Sequence, residues 1–371
     1  MLEGVNLTLL IGPGVPIPAP QDLIEALDAV QVTSSTQNSG FQLAFKIGKT
    51  SSLQTLIATG YFDPITTRVI ILVTLNGLPN VIMDGVVTRQ ELTPSNEIGK
   101  STFTVTGEDL SRMMDLIEMP FMRWPTPVIS RVYAILARYA VLGITPIGIP
   151  PIIPDVPDPL EEVPSQVGTD LQYLRKLASD AGYVFFVDPG PLPGQSIAYF
   201  GPDFRVPAPQ SALNVDMDLA TNVEGLSFAF DGLAKKIIVV TIFDPVTIPV
   251  PVPVPNLDPL RPPMGVRPPL PSKLDFAEGM GALDVTDALN RTIAIMFGAS
   301  DSITGTGTLD VFRYGQMLRS RMMVGVRGAG LAYDGFYYVN SVTHNIKPGQ
   351  YKQSFSISRD GLVANTPGVL P

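Results

Sequence analysis

The chain contains no cysteine, which excludes disulfides, thiolate metal sites and cysteine nucleophiles. Histidine is nearly absent too. His344 is the only one, so any histidine-based acid–base step or multi-histidine metal site would rest on a single imidazole. Asp, Glu, Lys and Arg make up only 16% of the 371 residues, against about 25% in an ordinary soluble domain. A chain this poor in charge, with 45% apolar residues, is expected to hide much of its surface against partners. Long apolar runs are also missing. The most apolar stretch, 141–154, is interrupted by Pro146, Pro150, Pro151 and Pro154 and falls short of the ~20 residues that cross a bilayer. The N-terminus lacks a basic segment and carries Glu3, so Leu7–Ile11 reads as a first strand and not as a signal peptide. No basic run occurs and the net charge is −9, which argues against specific nucleic-acid binding. Neither a Gly-x-Ser-x-Gly elbow nor a P-loop is present. Gly325–Gly330 resembles a dinucleotide loop only superficially, because no helix with an acidic partner follows.

Proline and strand-like alternation are abundant instead. The 37 prolines are about twice the usual share. Gly99–Leu110 (Gly-Lys-Ser-Thr-Phe-Thr-Val-Thr-Gly-Glu-Asp-Leu) echoes Tyr351–Leu362 (Tyr-Lys-Gln-Ser-Phe-Ser-Ile-Ser-Arg-Asp-Gly-Leu) at a constant offset of 252. Both alternate a small hydroxyl residue with an apolar one, the period of a strand with one buried face. Such alternation is common in strands, so composition alone is the competing reading. A strand–turn unit precedes each copy: Val87-Thr88-Arg89 comes before Thr93-Pro94-Ser95-Asn96, and Val342-Thr343-His344 before Lys347-Pro348-Gly349-Gln350, which puts His344 next to the equivalent of Arg89. Two related β-domains, one towards each end, are expected.

Read in order, Val5–Leu10 is a strand entering a Pro/Gly loop, and residues 22–30 are a helical turn or loop. Phe41–Ile47, Arg68–Leu75, Asn80–Thr88 and Thr102–Thr106 supply further strands, with Asn76-Gly77 as a hairpin turn. Thr106 is expected to cap a helix with Leu110, Met113, Met114 and Ile117 on one face. Thr126-Pro127 starts a second helix over Val128–Tyr139 that stops near Gly143. Trp124, with Phe121, is either a core plug or an interface anchor. Thr169 and Asp170 cap a third helix that places Leu171, Leu174, Leu177 and Ala178 inward. Gly182 is its left-handed stop, and the strands Tyr183–Val187 and Ser196–Phe200 follow. A hairpin of 222–230 with 235–243 is expected around Asp231-Gly232. Pro245–Pro271, with its Val-Pro run at 250–255, reads as an extended polyproline-type arm, unfit for a sheet interior. Asp284 and Asp287 cap a further helix using Leu289, Ile293, Met296 and Phe297, stopped by Gly298. Gly305-Thr306-Gly307 reads as a tight loop, and Met322–Val326, Gly335–Val342 and Gln353–Ser358 as the last strands.

The fold class is α+β, mainly β: two related small antiparallel β-barrels with inserted helix-plus-hairpin and Pro-rich or helical segments. The expected division is 1–120 for the first barrel and 121–200 for the helical and helix-hairpin domain. Residues 201–245 with 310–363 form the second barrel, 246–309 the Pro-rich arm and helix insertion, and 364–371 a flexible tail.

No catalytic, cofactor-binding or metal-ligating residues are assigned, and no cofactor is expected. Asp155, Asp158, Glu161 and Glu162 fall within eight residues, but the loop lacks EF-type spacing and reads as a solvated acidic segment. Asp216 and Asp218 would share a face on a strand, as a paired-carboxylate hydrolase needs, although such pairs are ordinary. His344 reads as structural or superficial.

Three stretches resemble the baseplate hub of contractile tails, the family of phage late control protein D and of the hub portion of VgrG-type spikes. They are Phe103–Ile117, Val163–Val187 (with Thr-Asp-Leu-Gln-Tyr-Leu-Arg-Lys-Leu-Ala-Ser-Asp-Ala-Gly before an aromatic strand) and Tyr333–Phe355 (with Tyr-Asp-Gly-Phe-Tyr-Tyr-Val-Asn-Ser-Val-Thr-His). The resemblance implies a homotrimer whose paired barrels form a pseudo-sixfold ring. Its partners would be the tail tube protein, the trimeric central spike protein and baseplate wedge proteins. It implies no enzyme activity and a place in a virion baseplate, or a phage-like injection particle, assembled in the bacterial host. The Pro-rich insert is not part of that resemblance and is expected to reach a neighbouring baseplate protein. The chain ends soon after the second barrel, so spike and lysozyme-like functions would belong to other chains. The remaining readings are a ligand- or carbohydrate-binding β-protein and a tail-tip cell-wall hydrolase.

Overall fold

The computed structural model describes residues 5–48, 51–97, 99–153, 163–205, 209–242, 250–254, 261–271, 273–276, 291–296 and 301–365. Alternating apolar residues build the first sheet from β1 (Val5–Pro13), the short β2 (Ile17–Pro18), β3 (Leu27–Ser35), β4 (Gly40–Lys46), β5 (Thr67–Leu75), β6 (Leu78–Thr93) and β7 (Thr102–Asp109). In β7, Phe103 and Val105 are buried while Thr102, Thr104 and Thr106 are half-buried, as the alternation requires. β5 is buried on both faces, in keeping with its unbroken apolar run. Asn76 and Gly77, with φ of 51° and 80°, turn β5 into β6, the left-handed pair a two-residue hairpin needs. The spatial order is β1-β5-β6-β7-β4-β3, antiparallel throughout. Helices α1 (Gln21–Ala26) and α2 (Ser52–Ala58) fill its connections.

The middle of the chain holds a 3₁₀ turn at Leu110–Asp115, α3 (Val128–Ala137), β8 (Ile144–Gly148), α4 (Asp170–Asp180), β9 (Val184–Pro189) and β10 (Ser196–Gly201). Its three strands run β8-β10-β9 and share a separate apolar core with both helices. α4 starts with a complete capping box: Gln172 N–H donates to the Thr169 hydroxyl while the Gln172 side chain accepts from Thr169 N–H. It stops before Gly182 at φ 70°.

The second sheet uses β11 (Gln210–Asn214), β12 (Val223–Phe230), β17 (Ile303–Asp310), β18 (Met323–Arg327), β19 (Gly335–Lys347) and β20 (Gln350–Arg359). Between β12 and β17 lie β13 (Lys236–Ile242), β14 (Val250–Val254), β15 (Gly265–Arg267) and β16 (Lys273–Phe276); β21 (Leu362–Ala364) comes last. The spatial order is β11-β18-β19-β20-β17-β12. With the two-residue β2 left aside and the remaining six strands of each sheet numbered along the chain, both sheets read 1-4-5-6-3-2. The repeat at offset 252 is therefore a duplicated topology, with β7 matching β20. One pairing differs: β11 meets β18 in parallel, whereas β1 meets β5 antiparallel.

Several expectations need correction. The sheets do not close into barrels among the described residues. β1 and β3 stay apart across a cleft of about 350 Å³ lined by Val5, Leu7, Leu27, Val30, Ile346 and Pro348. The two sheets instead run into one another through β3 and β19, giving a single thirteen-stranded sheet. His344, expected next to the equivalent of Arg89, lies further along. Phe103 pairs with Leu92 and Phe355 with Val342, so Leu92 matches Val342 and His344 matches Pro94. A β-bulge between Val87 and Arg89, and another between Val339 and Ser341, sit at different heights and shift the count.

Other departures are local. Thr106 is laddered to both Gln42 and Arg89, so it continues a strand. Asp109 caps the following 3₁₀ turn by accepting from Ser111 N–H at 2.8 Å. Pro127, not Thr126, is the residue flanking α3, with no side-chain cap. β12 and β13 do not form a hairpin: β12 pairs with β17, and β13 with β14 and β16. Gly305 and Gly307 lie inside β17. A Cβ on Gly307 would stand 2.6 Å from the Gly225 carbonyl and from the Phe355 ring, so the glycines make room for aromatic packing. Part of the Pro-rich segment joins a sheet after all: β14 sits at an edge, with Pro251 and Pro253 opposite Thr241 and Val239. β15 pairs with β21, so Ala364 is held against Gly265 and is not a loose tail residue. Residues 291–296 are helical, but Asp284, Asp287, Leu289, Phe297 and Gly298, and the tail from 366, lie outside the described residues.

Candidate assembly interface

The two sheets meet where β3 and β19 pair from Ser35–Ser341 to Val30–Ile346. Val30, Val32, Val342 and Ile346 bury their side chains in the shared core. On the polar face the Thr33 and Thr343 hydroxyls lie 3.1 Å apart, and Gln31 Nε2 donates to Asn345 Oδ1 at 3.2 Å. Ser34 and Ser320 hydroxyls meet at 2.6 Å.

Arg321 ties this junction to the middle module. It holds φ at 60°, a left-handed conformation that is strained for a non-glycine residue. From there its guanidinium lies 4.1 Å over the Phe186 ring and donates to Asp188 Oδ1 at 2.5 Å and to the Ser35 carbonyl. Burial pushes the Asp188 carboxyl above its ordinary range, and Arg321 opposes that rise. Arg321, Phe186 and Asp188 line a cavity of about 290 Å³ that also touches His344. A second tie is the buried Arg68–Asp84 pair, joined at 2.8 Å, whose carboxylate also accepts from Ser196 Oγ at 3.1 Å.

His344 is buried. Its Nδ1 lies 2.7 Å from the Tyr351 hydroxyl and 3.3 Å from Gln353 Nε2. Burial, helped by the charge of Arg319, lowers its pKa to about 4, so it is neutral at pH 7 and fills a structural position. Asp216 and Asp218 are exposed in a turn after β11, with φ of 51° and 48°, and so do not line one strand face. The acidic residues 155–162 lie outside the described residues. Among those described, no cluster of His, Asp and Glu is arranged to hold a metal, and no helix is long and apolar enough to cross a membrane.

Trp124 and Phe121 separate. Trp124 is buried, donating from Nε1 to Gln166 Oε1 at 3.2 Å, whereas Phe121 is 93% exposed. The sequence gives no signal for this difference, because both precede α3 in the same Pro-flanked segment.

Among the described residues several strand edges bordering the sheets carry no ladder partner, including residues 89–93 of β6 on the side away from β7 and the side of β12 away from β17.

A duplicated, mainly antiparallel β architecture with an inserted helix-and-hairpin module defines a fold class, and that class is the one found in phage tail and type VI secretion spike-related proteins. The chain is similar to the tail protein from Neisseria meningitidis MC58, with a TM-score of 0.62 at 13% identity, over 96% of this chain and 98% of that one. It is similar to the 43 kDa tail protein of prophage MuSo2 from Shewanella oneidensis, with a TM-score of 0.59 at 14% identity, over 95% and 98%. It also aligns with the Francisella PdpA–VgrG complex in its lidded form, with a TM-score of 0.58 at 8% identity, over 100% of this chain and 55% of that one. No family model and no curated protein matches the sequence.

Proposed function

We propose that the chain is the structural hub of a contractile-tail baseplate. Three copies would form a homotrimer whose six related β-units make a pseudo-sixfold ring. That ring would adapt the hexameric tail tube to the trimeric central spike and form part of the central channel. The observation that carries this reading is the shared 1-4-5-6-3-2 strand order of two units fused edge to edge by β3 and β19. Two like units per protomer turn threefold symmetry into an approximate sixfold one, and closed rings are a common outcome of self-association.

The low charge content fits a surface that is largely covered on assembly. Exposed apolar side chains such as Phe121, Leu219 and Leu331 are candidates for those contacts. The role is non-enzymatic in this reading, with the tube, spike and wedge proteins as partners, and the protein resides in the tail baseplate. The domain division set out from the sequence remains our proposal. Its second β-unit is extended to include β17, which begins at Ile303.

Native mass spectrometry of the purified chain tests the reading. A trimer at micromolar concentration is expected, and a stable monomer would count against a hub.

A further inference from the structure

One edge of the only histidine is built into the fold, and the other is left over. Gln353 Oε1 accepts from Leu318 N–H at 2.9 Å, and Gln353 Nε2 donates to the Leu318 carbonyl at 2.8 Å. These two bonds fix the orientation of the amide. The second hydrogen of Gln353 Nε2 then faces His344 Nδ1 at 3.3 Å, and the Tyr351 hydroxyl stands 2.7 Å from the same nitrogen. Nδ1 is therefore an acceptor, and in the neutral ring the proton sits on Nε2. His344 is only 5% exposed, yet among the described residues its Nε2–H meets no acceptor. Buried donors are nearly always paired, so one left over calls for an explanation.

The ring borders the cavity of about 290 Å³ beside the β3–β19 junction. Since Tyr351 and Gln353 enclose Nδ1, the edge that reaches the cavity is the Nε2 edge. The walls come from all three parts of the chain: Ser34 of β3, Asp188 of β9, His344 of β19, and Arg319 and Arg321 just before β18. Donors predominate. Arg321 keeps a buried Nε–H without a partner among the described residues. Arg319 donates to Asn80 Oδ1 at 2.6 Å and meets no carboxylate among the described residues. Asp188, the one acid on the wall, is taken by Arg321, so the charge of Arg319 is left uncompensated. Val81, Ile82 and Met322 supply an apolar side.

We infer that this cavity binds a small free carboxylate carrying a short aliphatic chain. The carboxylate accepts from His344 Nε2–H and pairs with the Arg319 guanidinium, the charge-assisted kind of hydrogen bond that is strongest. The hydrocarbon lies against Val81, Ile82 and Met322. The volume is at the lower end for ligand pockets, which selects a ligand of few atoms. A neutral ligand would leave Arg319 uncompensated, and a dianion would be opposed by Asp188. One chain supplies every wall, so the site does not depend on the trimeric-hub reading.

A single histidine makes the test clean. The full chain, carrying isotope-labelled histidine, is followed by NMR at pH 7 while sodium butyrate is added at constant ionic strength. Butyramide, the neutral analogue of nearly the same shape, is the control. Before any ligand, the ring nitrogens should report the Nε2–H tautomer. Butyrate should then move the ring resonances saturably in the millimolar range. Butyramide should bind about tenfold more weakly or worse, and Arg319→Met should weaken butyrate by a similar factor. Arg319 is exposed, and its replacement leaves both partners of Nδ1 in place. An Nδ1–H tautomer, no saturable response to butyrate in the wild-type chain, or an equal response to butyramide would overturn the assignment. So would undiminished butyrate affinity in the Arg319 variant.

Discussion

Thr33 and Thr343 place their hydroxyls 3.1 Å apart although 310 residues separate them. They sit in the one ladder that, among the described residues, joins the two related sheets. The strand carrying Thr33 is therefore a seam of the molecule, and the groups packed around it should govern its stability.

Arg321 is the staple of that seam. Arg321→Met keeps the apolar stem and removes the contacts to Asp188, Ser35 and the Phe186 face. Removing one partner of such a charged, hydrogen-bonded group should cost about 2–4 kcal/mol, read as a lower urea midpoint. Asp188, already raised by burial, then loses the cation that opposes the rise. A folded-state carboxyl pKa above the unfolded value favours folding at low pH. The loss in the variant should therefore be larger at pH 7 than at pH 5.

His344 gives the opposite sign. Its folded pKa is about 4, below the unfolded value of about 6.5, so the unfolded chain binds the proton more tightly. Its contribution is fully present above about pH 6.5 and is lost as pH falls towards 4, by about 2–3 kcal/mol at the acid end. His344→Gln should flatten that part of the pH profile. A variant with an unchanged acid slope would show that the imidazole is accessible to protons in the fold.

Gly307 should resist any side chain. Gly307→Val drives a branched carbon into the Gly225 carbonyl and the Phe355 ring and should lose about 2–4 kcal/mol. Gly225→Ala is the control. A Cβ there meets only the Thr308 hydroxyl at 4.0 Å, and stability should change by less than about 1 kcal/mol.

Trp124 and Phe121 should differ in the same manner. Trp124→Ala opens a cavity beside α3 and should lose about 3–5 kcal/mol. Phe121→Ala should stay within about 0.5 kcal/mol in the isolated chain. As Trp124 is the only tryptophan, its fluorescence reports unfolding in the Phe121 variant directly.

What could be read from the sequence was local. The Thr169 cap of α4, the Asn76-Gly77 turn and the hydroxyl–apolar alternation of β7 and β20 each draw their structure from neighbouring residues, and each is present. β3 was not legible. Its alternation is broken by a bulge between Leu27 and Ala29, a helix runs straight into it, and its β19 partner is some three hundred residues away. β17 was misread for the same reason. Gly305 and Gly307 look like a loop locally, and only the rings of Phe228 and Phe355, distant in sequence, explain them. The Asp231-Gly232 turn failed to make a hairpin because both flanking strands have other partners.

A reconstruction of the intact particle is the most direct test of the hub account. It should place three copies of this chain in one ring between the tail tube and the central spike, with six β-units around the channel. Finding the chain elsewhere in the particle, or at that level in a number other than three, would contradict it.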